Sequence, residues 1–259
     1  MPRMSLARLN PVTLITGAGS GVGAACAREL ARRSTGGLLL VDDDEDALTA
    51  LADDLEQKNL APERVSTLAF DVGDESRWRQ AAEFIEAQYG RLDWVVASSV
   101  TEHKGDLVDW KSADLNRAFL TLDFTMNLIR KNTQGGAIVV AMPAAVVKPE
   151  TSGLFSNGKR TLLQLIRIAA REGAPNNIRV NAVAPGGADS PMWKNLPWLS
   201  DIARELGGDR AALDRLGTAP TPVARHAAAG EAVRLIVTLV ADESGASGAT
   251  LVVDGGYTL

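Results

Sequence analysis

The sequence has one cysteine, Cys26, so no disulfide can form within the chain. That thiol lies in an Ala-rich helical stretch, where it reads as a small buried side chain. Long hydrophobic runs are also missing. The longest uncharged one, Ala137 to Val147, falls well short of the roughly 20 residues a membrane-spanning helix needs. Met1 to Asn10 carries arginines but no apolar core of a secretory leader. Neither sign of charge dominates: 27 Lys and Arg face 32 Asp and Glu, a net charge of -5 spread along the chain. That balance offers no basic footprint for nucleic acid and no polybasic membrane patch. No linker, repeat or low-complexity tract interrupts the sequence, and no metal-binding set is expected. Together these absences predict a cytoplasmic protein whose partner is a small molecule.

What is present is an alternation of short Val-, Ile- and Leu-rich runs with stretches of helical period, in 259 residues of which 46 % are hydrophobic. The apolar runs read as strands near Val12 to Thr16, Leu38 to Asp42, Val65 to Phe70, Trp94 to Ser98, Ala137 to Ala141, Arg179 to Val183 and Thr250 to Val253. Between them the period predicts helices near Gly21 to Arg33, Glu45 to Lys58, Glu75 to Tyr89, Trp110 to Lys131, Ser152 to Arg171 and Arg225 to Asp242. Strands apolar on both faces and separated by helices imply a parallel sheet covered on both sides. The expected fold is a Rossmann-type, doubly wound α/β/α sandwich forming a single domain over residues 1–259. One irregular segment, 185–222, carries Met192, Trp193, Leu196, Trp198 and Leu199 and reads as a lid over a substrate. Its tryptophans suit an apolar or aromatic pocket, or simply the attachment of the loop to the sheet.

Directly after the first strand comes Thr16-Gly17-Ala18-Gly19-Ser20-Gly21-Val22-Gly23, opening a helix. Side chains there would obstruct a tight turn and keep the backbone from a diphosphate, which the helix N-terminus then attracts with its amides. A glycine turn alone also serves close packing, and the acidic run Asp42 to Asp46 also suits a solvated turn. Their combination is more telling. The second strand ends at Asp42, about 20 residues beyond the glycines, where a carboxylate accepts hydrogen bonds from the ribose hydroxyls of NAD(H). It would repel a 2'-phosphate, and Asp43, Asp44 and Ser20 offer nothing to neutralise one.

With these motifs the chain resembles the classical short-chain dehydrogenase/reductase family, from Thr13 to Leu259. Thr16 to Gly23 fits the family's TGxxxGxG turn, and Asp71-Val72 fits the pair that contacts adenine. Asn181-Ala182-Val183-Ala184-Pro185-Gly186 resembles its Pro-Gly motif, Ser190 its carboxamide-binding hydroxyl, and Leu251 to Tyr257 its ending. The resemblance implies cofactor contacts from Gly17, Ser20, Gly21, Val22 and Gly23, and from Asp42, Asp71 and Val72. It adds Ala97 and Ser98 after the fourth strand, Lys159, and then Pro185, Gly186, Ala188 and Ser190. It also implies a homo-oligomer, a tetramer or a dimer, with the helices at 110–131 and 152–171 available for assembly.

The family's catalytic set is broken. Phe155-Ser156-Asn157-Gly158-Lys159 stands in the YxxxK place, so Lys159 remains while Phe155 replaces the proton-transferring tyrosine. The i, i+4 spacing keeps both positions on one helix face, and Ser156 is turned about 100° away. Met142 or Pro143 stands where the serine belongs. Asp114 falls on the asparagine of NLxxxF, with Asn116 close enough to leave the register open, and Ala97-Ser98-Ser99-Val100 replaces NNAG. A positioned general acid or base is worth about 10²- to 10⁴-fold, so ordinary carbonyl reduction should be crippled. His103 after the fourth strand and Asp114 are the candidate substitutes, each with a plain surface role as its alternative. The two tyrosines, Tyr89 and Tyr257, read as structural. Three functions remain open: a divergent NAD(H)-dependent alcohol or carbonyl oxidoreductase, an inactive nucleotide-binding subunit or sensor, and a non-redox dehydratase, isomerase or cyclase.

Overall fold

The computed structural model describes residues 10–34, 36–60, 64–99, 112–147, 154–186, 204, 222, 229–241, 245–256 and 258–259, with the backbone alone at 112, 145, 154–159 and 229. The strands are β1 (Thr13–Thr16), β2 (Leu38–Asp42), β3 (Val65–Ala69), β4 (Trp94–Ala97), β5 (Gly136–Ala141), β6 (Ile178–Pro185) and β7 (Thr250–Val253). The helices are α1 (Gly21–Arg33), α2 (Glu45–Gln57), α3 (Glu75–Tyr89), α4 (Ser112–Arg130), α5 (Leu154–Gly173) and α6 (Ala229–Ala241). All seven strands pair in parallel, in the order β3-β2-β1-β4-β5-β6-β7. The chain starts in the middle, winds outward to β3 and crosses back to β4. The segments leaving β1 and β4 therefore diverge, and the crevice between their C-terminal ends is where such sheets bind ligands.

Period-2 alternation along each strand feeds two cores. Leu38 and Leu40 of β2 and Ala137 and Val139 of β5 pack with α1, α2 and α6. Their neighbours Leu39, Val41, Ile138 and Val140 pack with α3, α4 and α5. Burying a Leu- or Ile-sized side chain contributes about 1.5–3 kcal/mol, so both helical layers are held firmly to the sheet. Trp78 is fully buried on the second side, stacked on Phe124 at 5.8 Å and edge-on to Phe70, with its indole N–H donating to the Val72 carbonyl at 2.9 Å.

Some expected boundaries shift for identifiable reasons. Val12 stands outside β1 because the Asp93 side chain takes its amide at 2.9 Å. Asp93 is fully buried yet satisfied, since Asn132 Nδ2 and Arg91 Nη2 donate to its other oxygen. At the other sheet edge, β6 runs on to Pro185, which pairs with Val253. Tyr89 is structural: its hydroxyl shares a 2.8 Å hydrogen bond with Ser66 and its ring edge meets Phe84. Cys26 is buried, and that burial, helped by Glu29, pushes its thiol up to about 12, which leaves it unreactive. The first residues expected for α4, α5 and α6 lie outside the described residues, as do Tyr257 and most of the lid-like segment 185–222.

Candidate functional site

The site is built where β1 ends. Thr16 is fully buried, and its Oγ1 accepts the amides of Ser98 at 3.1 Å and Ser99 at 3.4 Å, tying the end of β1 to the end of β4. Gly17 follows at φ +65°, and a Cβ there would lie 2.9 Å from the Ser98 carbonyl carbon. Gly23, in the first turn of α1, sits on that same glycine: its Cβ would lie 1.9 Å from the Gly17 carbonyl oxygen. Backbone blocks both positions, so only glycine fits. Ser20 precedes α1 in extended conformation without a side-chain bond to the helix, and no acidic residue occupies the first turn. By contrast, Asp44 caps α2 and Asp74 caps α3. The leading amides of α1 and its positive dipole end are thus left for an anion, beside the exposed Ser20 and Gly21. Val22 turns inward onto the α1, α2 and α6 core. A cradle of this shape and polarity fits a diphosphate.

At the end of β2, Asp42 reaches back into the cradle. Its Oδ2 accepts the Gly19 amide at 2.8 Å and its Oδ1 the Asp44 amide at 3.2 Å. Burial pushes this carboxyl above its ordinary value, the two amides pull it back down, and the neighbouring Asp43 pushes it up again. Within the acidic run only Asp42 is drawn inward, to hold the glycine turn, while Asp43 to Asp46 are exposed, Asp44 capping α2 and Glu45 and Asp46 lying at the positive end of that helix.

After β3, Asp71 accepts two parallel bonds from Arg117 of α4, Nε to Oδ1 at 2.9 Å and Nη2 to Oδ2 at 2.8 Å, and takes the Gly73 amide on Oδ1. The guanidinium holds its carboxyl below the usual carboxylate range. Val72 is a core residue whose carbonyl accepts the Trp78 indole N–H, so its side chain is not available to a ligand. Sequence reasoning missed Arg117. Its spacing three residues after Asp114 was the available signal, and the two approach to 4.0 Å.

The positions expected to be catalytic differ in burial. Met142 is buried in the core with Ala144 and Val146, its amide donating to the Val183 carbonyl at 3.0 Å. Pro143 is only half-buried, so of the two it is Pro143 that lines the open end of β5. Gly186 closes the far side, where a Cβ would meet Asp254 at 2.2 Å and Ala144 at 3.3 Å. This packing sets the Pro185-Gly186 turn beside the end of β5. Asn181 and Asp254 are structural: Asn181 bonds the Ala246 carbonyl and the Ala249 amide, and Asp254 bonds the Gly256 and Thr258 amides.

On α4 the two candidates differ in burial. Asp114 is 3 % exposed, whereas Asn116 faces outward and donates to the Gly73 carbonyl at 3.5 Å. Phe155 and Lys159 lie in the first two turns of α5, four residues apart and so on one helix face. Ala97 is buried at the end of β4, and Ser98 is partly exposed next to it. His103, Ala188, Ser190, Trp193 and Trp198 lie outside the described residues.

A parallel sheet with a glycine cradle at the point where its order reverses defines the Rossmann-type class of α/β domains. A family model described as enoyl-(acyl carrier protein) reductase matches residues 17–258. Cis-4-hydroxycyclohexanecarboxylate dehydrogenase of Sinomonas cyclohexanicum is 32 % identical over 259 residues, spanning 95 % of this chain and 96 % of that protein. Cyclopentanol dehydrogenase of a Comamonas species is 28 % identical over 256 residues, again 95 % and 96 % of the two chains. Among solved structures, L-sorbose reductase from Gluconobacter frateurii, complexed with NADPH and L-sorbose, superimposes with a TM-score of 0.81 at 23 % identity over 98 % of each chain. The chain belongs to the classical short-chain dehydrogenase/reductase family.

Proposed function

We propose that this chain binds NAD(H) across the crevice between β1 and β4 and oxidises an alcohol or reduces a carbonyl without the family's tyrosine and serine. The observation that carries this reading is the Asp42 carboxylate bonded to the Gly19 amide, which puts an anion at the end of β2 where a 2'-phosphate would be repelled. The L-sorbose reductase structure contains NADPH, so the choice of cofactor is the first thing to measure. The two dehydrogenase relatives are named for hydroxylated rings, which supports a ring-bearing secondary alcohol or its ketone as substrate.

When bound, the nicotinamide supplies or accepts a hydride at its C4. The amides from Ser20 to Gly23 at the start of α1 hold the diphosphate, Asp42 accepts the adenosine ribose hydroxyls, and Lys159 holds the nicotinamide ribose. Pro143 and Phe155 carry no proton, so its transfer falls to Asp114, His103 or water. Asp114 is the candidate of these that is a buried carboxylate within the described residues, on α4. The segment 185–222 serves as the lid, and the protein works in the cytoplasm as a homo-oligomer. No helix among the described residues is long and apolar enough to cross a membrane.

Isothermal titration with NADH and NADPH, followed by nicotinamide absorbance with cyclopentanol and cyclohexanols, tests the proposal. NADH should bind more tightly than NADPH, and slow oxidation should follow. Heat from neither dinucleotide on folded protein would sink it. A second reading, a dinucleotide-binding subunit without chemistry, is favoured by Pro143 and Phe155 occurring together. NADH binding with no turnover across the alcohol series would select that reading.

A further inference from the structure

Ser99 lies two residues beyond the end of β4, in the crevice where the strand order reverses. Its backbone is fixed on two sides. The amide donates to Thr16 Oγ1 at 3.4 Å, and Gly17 packs so closely that a Cβ there would lie 3.0 Å from the Ser99 nitrogen. Its hydroxyl oxygen is shielded from solvent and, among the described residues, has no hydrogen-bond partner. Thr16 Oγ1 already accepts two amides and is poorly placed to take a third proton. Buried hydroxyls are nearly always paired, so an unpaired one beside a ligand cradle calls for a partner that arrives with the ligand.

We propose that Ser99 is a cofactor-binding residue whose Oγ donates a hydrogen bond to an oxygen of the dinucleotide, on its diphosphate or on an attached ribose. This rests on the NAD(H) reading above. Diphosphate oxygens are acceptors only, and among the described residues nothing takes the proton the hydroxyl would give.

The test compares wild type with Ser99→Ala, which removes only the oxygen and keeps the amide bonded to Thr16. Melting temperature is measured without ligand, and dissociation constants are measured for NADH, ADP-ribose and ADP. The expected result is an unliganded protein that melts at the same temperature or higher, with NADH bound about five- to ten-fold more weakly, the loss of one hydrogen bond. If ADP shows the same loss, the acceptor is on the diphosphate or adenosine half. If ADP is unaffected while ADP-ribose and NADH weaken, it is the distal ribose. Affinity within two-fold of wild type for all three ligands would overturn the assignment while leaving NAD(H) binding intact. A large fall in unliganded melting temperature would also overturn it, by showing the hydroxyl to be structural. Wild-type protein that binds no dinucleotide would refute both proposals.

Discussion

The carboxylate of Asp42 and the amide of Gly19 meet at 2.8 Å across 23 residues of sequence, so the residue proposed to select the ribose also braces the turn proposed to grip the phosphates. Hydrogen bonds involving a charged partner are worth about 1.5–3 kcal/mol, so Asp42→Ala should weaken NADH by roughly ten-fold or more while leaving NADPH equal or better. Because the folded-state carboxyl titrates above the ordinary 3.8, wild-type NADH affinity should begin to decline at higher pH than an unperturbed carboxylate would allow. The folded form holds that proton more tightly than the unfolded chain, so this protonation does not itself unfold the protein. Titrations from pH 7 to 4 on both proteins check this, and an unchanged NADH to NADPH ratio would remove Asp42 as the selector.

Gly23 and Gly17 are in backbone contact, and a methyl at Gly23 would lie 1.9 Å from a carbonyl oxygen that has nowhere to move. Gly23→Ala should lower the melting temperature by several degrees and abolish the NADH-induced rise in melting. A variant that melts normally and still binds NADH would show that α1 need not pack on the turn.

Arg117 joins Asp71 to the start of α4, with 16 % of its own side chain exposed and 47 % of its partner's. Asp71 is depressed in the folded state, so the pair's stabilisation is fully present above the unfolded carboxylate value, about 4, and fades as pH falls through the depressed one. Arg117→Met should melt a few degrees lower at pH 7, with the gap closing below about pH 4. Melting curves that stay parallel down to pH 3 would contradict the assignment.

Phe155→Tyr combined with Pro143→Ser supplies the two hydroxyls that the family pattern expects and this sequence lacks. If the natural protein is catalytically silent, only the double variant should oxidise cyclic alcohols measurably, with a gain of about 10²-fold or more over wild type. If Asp114 or His103 already carries the proton, the gain should be small, and Asp114→Asn in the wild-type background should lower kcat more than it changes KM.

Much of the architecture was legible because its signals are local. β2, β7, α1 and α3 have the bounds their hydrophobic period predicts, since alternation sets which face of a strand is buried and the 3.6-residue period sets which stripe of a helix is. The glycine cradle was equally plain, being one continuous stretch. Met142 and Pro143 could not be separated by pattern, because adjacent residues at a strand end exchange faces with a one-residue change of register. Arg117 was invisible as a partner of Asp71 because 46 residues separate them.

The sequence by itself determined the order of strands and helices, the glycines at the first turn, the acidic residue after β2 and the absence of a tyrosine at 155, since each depends only on residue type and near neighbours. Only the tertiary structure decided that Asp42 bonds Gly19, that Arg117 clasps Asp71, that Asp114 turns inward while Asn116 does not, and that the Ser99 hydroxyl finds no partner among the described residues. Those relations arise where crossovers bring distant segments to one edge of the sheet. Their geometry is fixed by how the helical layers pack, which no short stretch of sequence encodes.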